Sequence, residues 1–342
     1  MLQELEDVEV LVVNARHIKN VPGRKTDVKD AQWLCQLLEC GLLKGSFIPT
    51  TEMQKLRDLT RYRTRLINDR GREVQRIHKV LEDAGLKLEA VIADVLGVSG
   101  RNMLEALISG ERRPAVLADM AKQRMRSKIP TLELALEGRF GDHHATMLRL
   151  HLDHIDYLNN TVSRIDEEVD ELMGPFSAVQ ERLETIPGIG TLTARVIVAE
   201  AGVDMSRFAT ADHFASWVGA CPGNHESAGV SRSGATTKGN QALMSALCEA
   251  AWVASRTDTY LGAKFKRYAR HFGKRGINQA IVALAHTMAL IVYHVIHDGV
   301  DYVELGADYV QRLDDPEVKK HRLLHQLELL GYEVTVKPKT AA

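Results

Sequence analysis

A mostly α-helical protein is predicted by three features of this 342-residue sequence. Long stretches space their apolar residues three and four apart, the period of a helix that buries one face. Aromatic residues make up only 5% against 45% apolar residues in all, the balance of an Ala/Leu-rich helical protein. Only two segments read as strands, VEVLVVN at residues 8–14 and the tail GYEVTVKPK at 331–339. The length leaves room for two or three domains and a sizeable core.

Taken in order, VEVLVVN is a continuous apolar run, the pattern of a strand buried on both faces of a parallel sheet. One such strand cannot make a sheet, because its N–H and C=O groups need neighbours on both sides. A Pro/Gly turn at 21–23 leads into a helix expected over 26–39 and closed by Cys40-Gly41. A second helix is expected after Thr50-Thr51, running to about residue 84. Leu56, Leu59, Leu66, Val74, Ile77 and Leu81 form its apolar stripe, and its other face carries nine Lys and Arg between Lys55 and Lys79. Shorter helices follow, punctuated by GVSG at 97–100, Gly110, Pro114 and Pro130. Another long amphipathic pattern spans 144–173, with Leu148, Leu152, Ile155, Leu158, Val162, Ile165, Val169 and Leu172 suiting a helical hairpin or coiled-coil seam. GPF at 174–176 ends it. The expected division is 1–85, 86–174 as helical linker and coiled coil, 175–310 as a compact helical domain, and a tail at 311–342.

The formal net charge is −1, so no global field attracts nucleic acid and any such surface is local. Cys35, Cys40, Cys221 and Cys248 form no CxxC pair and no zinc spacing, and read as reduced, buried thiols of a cytosolic protein. The first ten residues have neither a basic region nor an apolar one, so no secretory signal is expected. The apolar run INQAIVALAHTMALIVYHVI at 277–296 approaches membrane-spanning length. It contains Asn278, Gln279, His286 and His294 and is read as a core helix with core histidines; no membrane partner is expected.

Four constellations can carry chemistry. Asp27 and Asp30 lie three apart at a helix start, so their carboxylates share a face. Such oxygens suit Mg²⁺ completed by phosphate oxygens, with Arg24, Lys25 and Lys29 meeting the phosphates; equally, acidic residues in a first turn suit the helix dipole. LETIPGIGTLTARVIVAEAG, residues 183–202, reads as a helix-hairpin-helix. Gly188, Gly190 and Thr191 would bring backbone N–H groups and a helix N-terminus to a DNA phosphate; a plain turn between helices is the alternative. WVGACPGNHESAGVSRSGATTKGNQAL, residues 217–243, sets Ser227, Ser231 and Ser233 in a Gly-rich loop with Arg232 and Lys238. This is either a nucleophile loop whose basic neighbours stabilise charge at phosphate, or an ordinary surface loop. AKFKRYARHFGKRG, residues 263–276, interleaves six cations with Phe265, Tyr268 and Phe272, aromatics toward the core and cations toward solvent or a nucleic-acid backbone.

In this order, VNARHIKNVPGRKTDVKDAQWL, DVLGVSGRNMLEAL, IPGIGTLTARVIVAE and GACPGNHESAGVSRSGATTKGNQAL resemble the insertion sequence 110 family of transposases, which includes the Piv-type DNA invertases. The resemblance covers nearly the whole chain. It implies that 1–85 is the C-terminal part of a RuvC-type, RNase H-like α/β domain with Asp-Glu-Asp-Asp metal ligands, of which Asp27 and Asp30 match the last two. It implies that the catalytic serine lies in the SAG/SG loop, with Ser227 chosen ahead of Ser231 and Ser233. Acidic site and serine are then expected to act together from different protomers, cutting and rejoining DNA through a serine–DNA intermediate with Mg²⁺ as cofactor and an element-encoded structured RNA as guide.

The family's first Asp and its Glu are expected upstream of VLVVN, and Glu4, Glu6, Asp7 and Glu9 sit too close to that strand to serve. The expectation is therefore an N-terminally shortened copy that does not recombine DNA by itself. The rival readings are a non-catalytic helix-hairpin-helix protein that only binds nucleic acid, and a RuvC-like junction nuclease working with metal alone. The two long seams imply a homo-oligomer, dimer or tetramer, and the expected location is cytoplasmic, on the nucleoid.

Overall fold

The computed structural model describes residues 27–43, 49–223, 226–227, 230–231 and 236–309, with isolated positions outside these spans; of 27–30, 226–227 and 230–231 it describes the backbone. The strands expected at 8–14 and 331–339, and the tail at 311–342, fall outside the described residues apart from isolated positions, as do Arg24, Lys25, Arg232 and Ser233. The described chain is mostly α-helical, as its periodicity predicts.

Helix α1, Asp27–Glu39, is the first described helix. The amides after it turn back on its last carbonyls: Gly41 N–H donates to Leu38 O at 3.0 Å and Leu42 N–H to Leu37 O at 2.9 Å. Helix α2, Thr51–Asp83, starts where Thr50 Oγ1 accepts the Met53 N–H at 3.4 Å.

The chain forms two compact units, one of residues 55–177 and one of 1–54 with 178–342. In the first, α2 is followed by α3 (Val98–Ile108), α4 (Pro114–Asp119), α5 (Ile129–Ala135) and the long α6 (Asp142–Met173). Ile77 and Leu81 of α2, Met103, Leu104 and Leu107 of α3, Leu117, Leu132, and Leu148, Leu152 and Ile155 of α6 are buried in one core. The α2 and α6 seams are thus buried within the chain, against their expected use in holding two copies together.

Polar contacts fix α2 and α6 as an antiparallel pair. Arg63 meets Asp166 through Nε at 2.5 Å and Nη2 at 3.2 Å, Arg70 donates to Asn159 Oδ1 at 3.1 Å, and Asp83 meets His144 at 3.1 Å. Between these, Glu73 stands inside the apolar stripe and is buried. Its two oxygens take His151 Nδ1 at 2.8 Å and His154 Nδ1 at 3.1 Å, and Arg76 pairs with it from the next turn. Burial raises the Glu73 carboxyl. The His151 hydrogen bond and the Arg76, His154 and His151 charges outweigh it and leave the group below the ordinary carboxylate range.

In the second unit, α7 (Ser177–Glu184), α8 (Thr191–Ala201), α9 (Ala211–Val218), α10 (Gln241–Ala254) and α11 (Tyr260–Phe272) precede α12, Ile277–Asp298. Helix α12 packs against α9, α10 and α11, and α8 against α10. By length and composition α12 could cross a membrane, yet most of it is buried in the protein, as expected of a core helix. Tyr293 supports that packing: its ring lies 6.2 Å from Phe214, and its hydroxyl donates to Phe208 O at 3.1 Å. A buried Tyr keeps its polar tip bonded in this way.

Three expectations are corrected. His294 is not a core residue: it lies on the exposed side of α12, 3.2 Å from Asp298, while His286 is half-buried and its imidazole is pushed down mainly by burial. No cysteine is buried: Cys35 and Cys40 are exposed, Cys221 and Cys248 half-buried, all four as free thiols. Phe272 does not face the core; it is exposed, whereas Phe265 and Tyr268 are half-buried.

Candidate functional site

The serine loop is a β-hairpin. Strands β1 (Glu226–Ser227) and β2 (Val230–Ser231) pair antiparallel, with Ser227 opposite Val230 and Glu226 opposite Ser231, and a bridge from Pro222 to Thr236 continues the ladder toward the base. Ser227 and Ser231 therefore sit on facing strands, one register step apart.

The neck below this hairpin is held tightly. Thr237 N–H donates to Cys221 O at 3.1 Å and Asn240 N–H to Trp217 O at 3.2 Å. Gly219, at φ +89°, crosses Gly239 so closely that a Cβ on Gly239 would lie 2.3 Å from the Gly219 nitrogen and 2.4 Å from the Val218 carbonyl carbon. Only glycine fits such a backbone crossing. Below it, Asn240 caps α10, its Oδ1 accepting the Leu243 N–H at 3.2 Å. The Asn240 amide donates to Glu200 Oε2 at 2.7 Å, and Glu200, in the last turn of α8, is completely buried. Burial of Cys221 in the neck, with the Asp212 charge second, pushes its thiol up. Lys238 lies exposed on the neck.

The α7–α8 connection is the sharp turn expected of PGIG. Ile189 N–H donates to Ile186 O at 3.0 Å, and Gly190 precedes α8 with no side chain on the first amides; Gly190 and Thr191 are exposed. Gly188 packs the turn on its neighbour helix. At φ +93°, its Cβ position lies 2.4 Å from Ala250 O and 2.9 Å from Ala254 Cβ, so glycine is required there for packing on α10.

These contacts set the two motifs apart. The PGIG turn lies against Ala250 and Ala254 near the C-terminal end of α10, while the serine hairpin rises from Asn240 at its N-terminal end. A 14-residue helix separates its ends by about 20 Å. Asp27 and Asp30 occupy the first turn of α1, three apart as the sequence requires, and Lys29 lies between them. Among the described residues no group of three or more His, Cys, Asp or Glu is disposed to hold a metal ion.

Sequence reasoning missed Glu200 and Asn240. The signal was present: Glu200 interrupts the otherwise apolar end of RVIVAEAG, and Asn240 stands at the start of a helix immediately after a glycine.

A family profile described as Transposase IS116/IS110/IS902 family matches residues 180–267, and a second, a DEDD-type transposase profile of the IS110 group, matches residues 1–85. The chain is 25% identical to a probable family 20 transposase of Pseudomonas aeruginosa, over 81% of this chain and 73% of that protein. It is 24% identical to the transposase for insertion sequence element IS1328 of Yersinia enterocolitica, over 82% and 74%. A pilin gene-inverting protein of Moraxella bovis is 31% identical over 43% of this chain and 47% of its own length. The chain belongs to the IS110/IS116/IS902 family of transposases, enzymes that recombine DNA.

Proposed function

We propose that this transposase cuts and rejoins DNA with Ser227 as nucleophile and Asp27 and Asp30 as two of the carboxylate ligands of a Mg²⁺ centre. The observation that carries the proposal is the serine hairpin and its neck: backbone bonds at Cys221 and Trp217, the Gly219–Gly239 crossing and the Asn240–Glu200 bond give the hydroxyl-bearing strands a fixed base. Fixed geometry is what turns a poor nucleophile into an effective one.

Ser227 Oγ bonds to phosphorus as one DNA ester oxygen leaves, and that oxygen receives the proton the serine gives up. A strand-end hydroxyl then displaces the serine oxygen, which takes a proton back, and the new phosphodiester closes. Arg232 and Lys238 stabilise charge on the phosphate. Two carboxylates of the Asp27 and Asp30 kind, completed by phosphate oxygens, are a hard-oxygen donor set of the type Mg²⁺ takes; when bound, the ion supplies Lewis acidity at the phosphate. Arg24, Lys25 and Lys29 hold the same phosphate backbone beside it. The α7–α8 turn acts as a helix-hairpin-helix, offering the N–H groups of Gly190 and Thr191 to a second stretch of backbone, while Gly188 seats the turn. The α/β relationship of residues 1–85 to RuvC-type nucleases, a structured guide RNA, a homo-oligomer that brings the two sites together and a place on the nucleoid complete the reading.

The test expresses the chain, by itself and with the coding sequence in frame upstream of Met1 added, in cells with the DNA that flanks its own gene and measures strand joining in each, which decides the expectation that the chain by itself is inactive. Ser227→Ala and Asp27→Asn each abolish it, and denaturing electrophoresis detects a protein–DNA adduct lost in Ser227→Ala alone. Retention of the adduct until Ser231 or Ser233 is replaced moves the nucleophile to that position. Joining that survives all these substitutions overturns the proposal, and a parent that joins nothing while its DNA binding is unchanged by any of them is a protein that only binds nucleic acid.

A further inference from the structure

From the second unit we infer that the end of α10 and the outer face of α11 form a track for an unpaired DNA strand, separate from the serine hairpin. The inference deepens the proposed function by assigning a strand-holding surface, and it rests on that reading only for the kind of polyanion involved.

The first observation is charge. Residues 260–276 contain no acidic side chain in a protein whose net charge is −1. Lys264 is half-buried and bonded to the Tyr260 hydroxyl at 3.0 Å, but Lys266, Arg270, Lys274 and Arg275 are exposed. Among the described residues, none of these four meets a carboxylate. Lys266 and Arg270 stand one turn apart on the outer face of α11, and Lys274 and Arg275 carry the positive charge past its end. A concentration of cations with no acidic partners, in a chain with no excess of positive charge, is the local surface that a phosphate backbone requires.

The second observation separates unpaired from paired DNA. Trp252, on the last turn of α10, is 39% exposed, and its ring lies 6.5 Å from Phe265 of α11. Phe272, seven residues beyond Phe265 and so on the same side of the helix, is also 39% exposed. A duplex offers phosphates to a protein but keeps its base faces stacked. Aromatic rings held at the surface of a helix that carries a line of cations on its next face match a strand whose bases are free to stack. The last turn of α10 that carries Trp252 is also the turn on which Gly188 packs, so the track begins next to the α7–α8 turn. DNA is the occupant that fits a transposase.

The full chain is titrated against a fluorescein-labelled oligothymidylate, the matching duplex and an oligouridylate, reading anisotropy and tryptophan emission over a range of salt. The Lys266→Glu/Arg270→Glu variant is expected to weaken oligothymidylate binding by about tenfold or more and to flatten its salt dependence. Trp252→Ala is expected to weaken it by about tenfold and to remove most of the tryptophan quenching, while Trp252→Phe keeps the affinity. Circular dichroism and the melting midpoint confirm that each variant is folded, and the conservative ring exchange distinguishes stacking from loss of packing. Unchanged affinity in the charge-reversed protein overturns the assignment, as does a loss confined to duplex DNA or to oligouridylate. Thr191→Glu tests the α7–α8 turn separately: loss of duplex binding there, with oligothymidylate binding intact in the α11 variants, leaves the proposed function standing and removes this track.

Discussion

Both units bury a carboxylate, and each carboxylate ties together two elements of its unit. Glu73, in the first unit, is surrounded by groups that carry or can carry positive charge: His151, His154 and Arg76. Glu200, in the second, takes a hydrogen bond from a neutral amide, that of Asn240. The first arrangement ties two long helices together and responds to protons. The second ties a helix to the base of a loop.

The largest effect is expected from Asn240→Asp. It keeps an N-cap oxygen on α10 but sets a second carboxylate against buried Glu200, at a cost of about 4 kcal/mol at neutral pH. Chemical denaturation of parent and variant at neutral pH would reveal the loss. If Asn240→Asp unfolds no more easily than the parent, the amide–carboxylate bond is not what holds the neck.

A smaller loss, about 3 kcal/mol, is expected when His151→Ala leaves Glu73 buried with fewer partners. Because the folded Glu73 pKa is depressed, its contribution is present above the ordinary carboxylate range and is lost as pH falls through the lowered value. Thermal melts of the parent and of Glu73→Gln between neutral and strongly acid pH should converge at the acid end. Melting curves that stay parallel throughout would show that Glu73 does not couple to protons.

The smallest effect concerns thiols. Burial pushes the Cys221 and Cys248 thiols up, whereas Cys35 and Cys40 are exposed on or just past α1. Maleimide labelling followed by peptide mapping should modify Cys35 and Cys40 first, and early labelling of Cys221 would mean that the neck opens.

Much of the fold was legible in the residues because helical periodicity reports burial directly. The helix expected over 26–39 is found at Asp27–Glu39, the one begun at Thr51 ends at Asp83, and the seam at 144–173 lies on Asp142–Met173. What escaped was polar and long-range. A periodic reading assigns Glu73 to water, because the histidines that satisfy it lie almost eighty residues away on another helix. The same reading made His294 a core residue from its apolar neighbours, although the helix turns that position outward. Of the candidate site, the serines and the PGIG turn were visible as motifs. The hairpin that carries the serines was not, since its two-residue strands are too short to show alternation, and it depends on a glycine crossing that no local pattern encodes.

The Gly219–Gly239 crossing has a consequence for how this part of the chain can vary. Because the two ends of the hairpin meet at a closed stem, a change in the number of residues beyond it alters the closure entropy only slowly. Residues 222–236 can then lengthen, shorten or exchange their side chains with little strain reaching α9 or α10. The tip can then change in sequence while the helical base goes on folding as before.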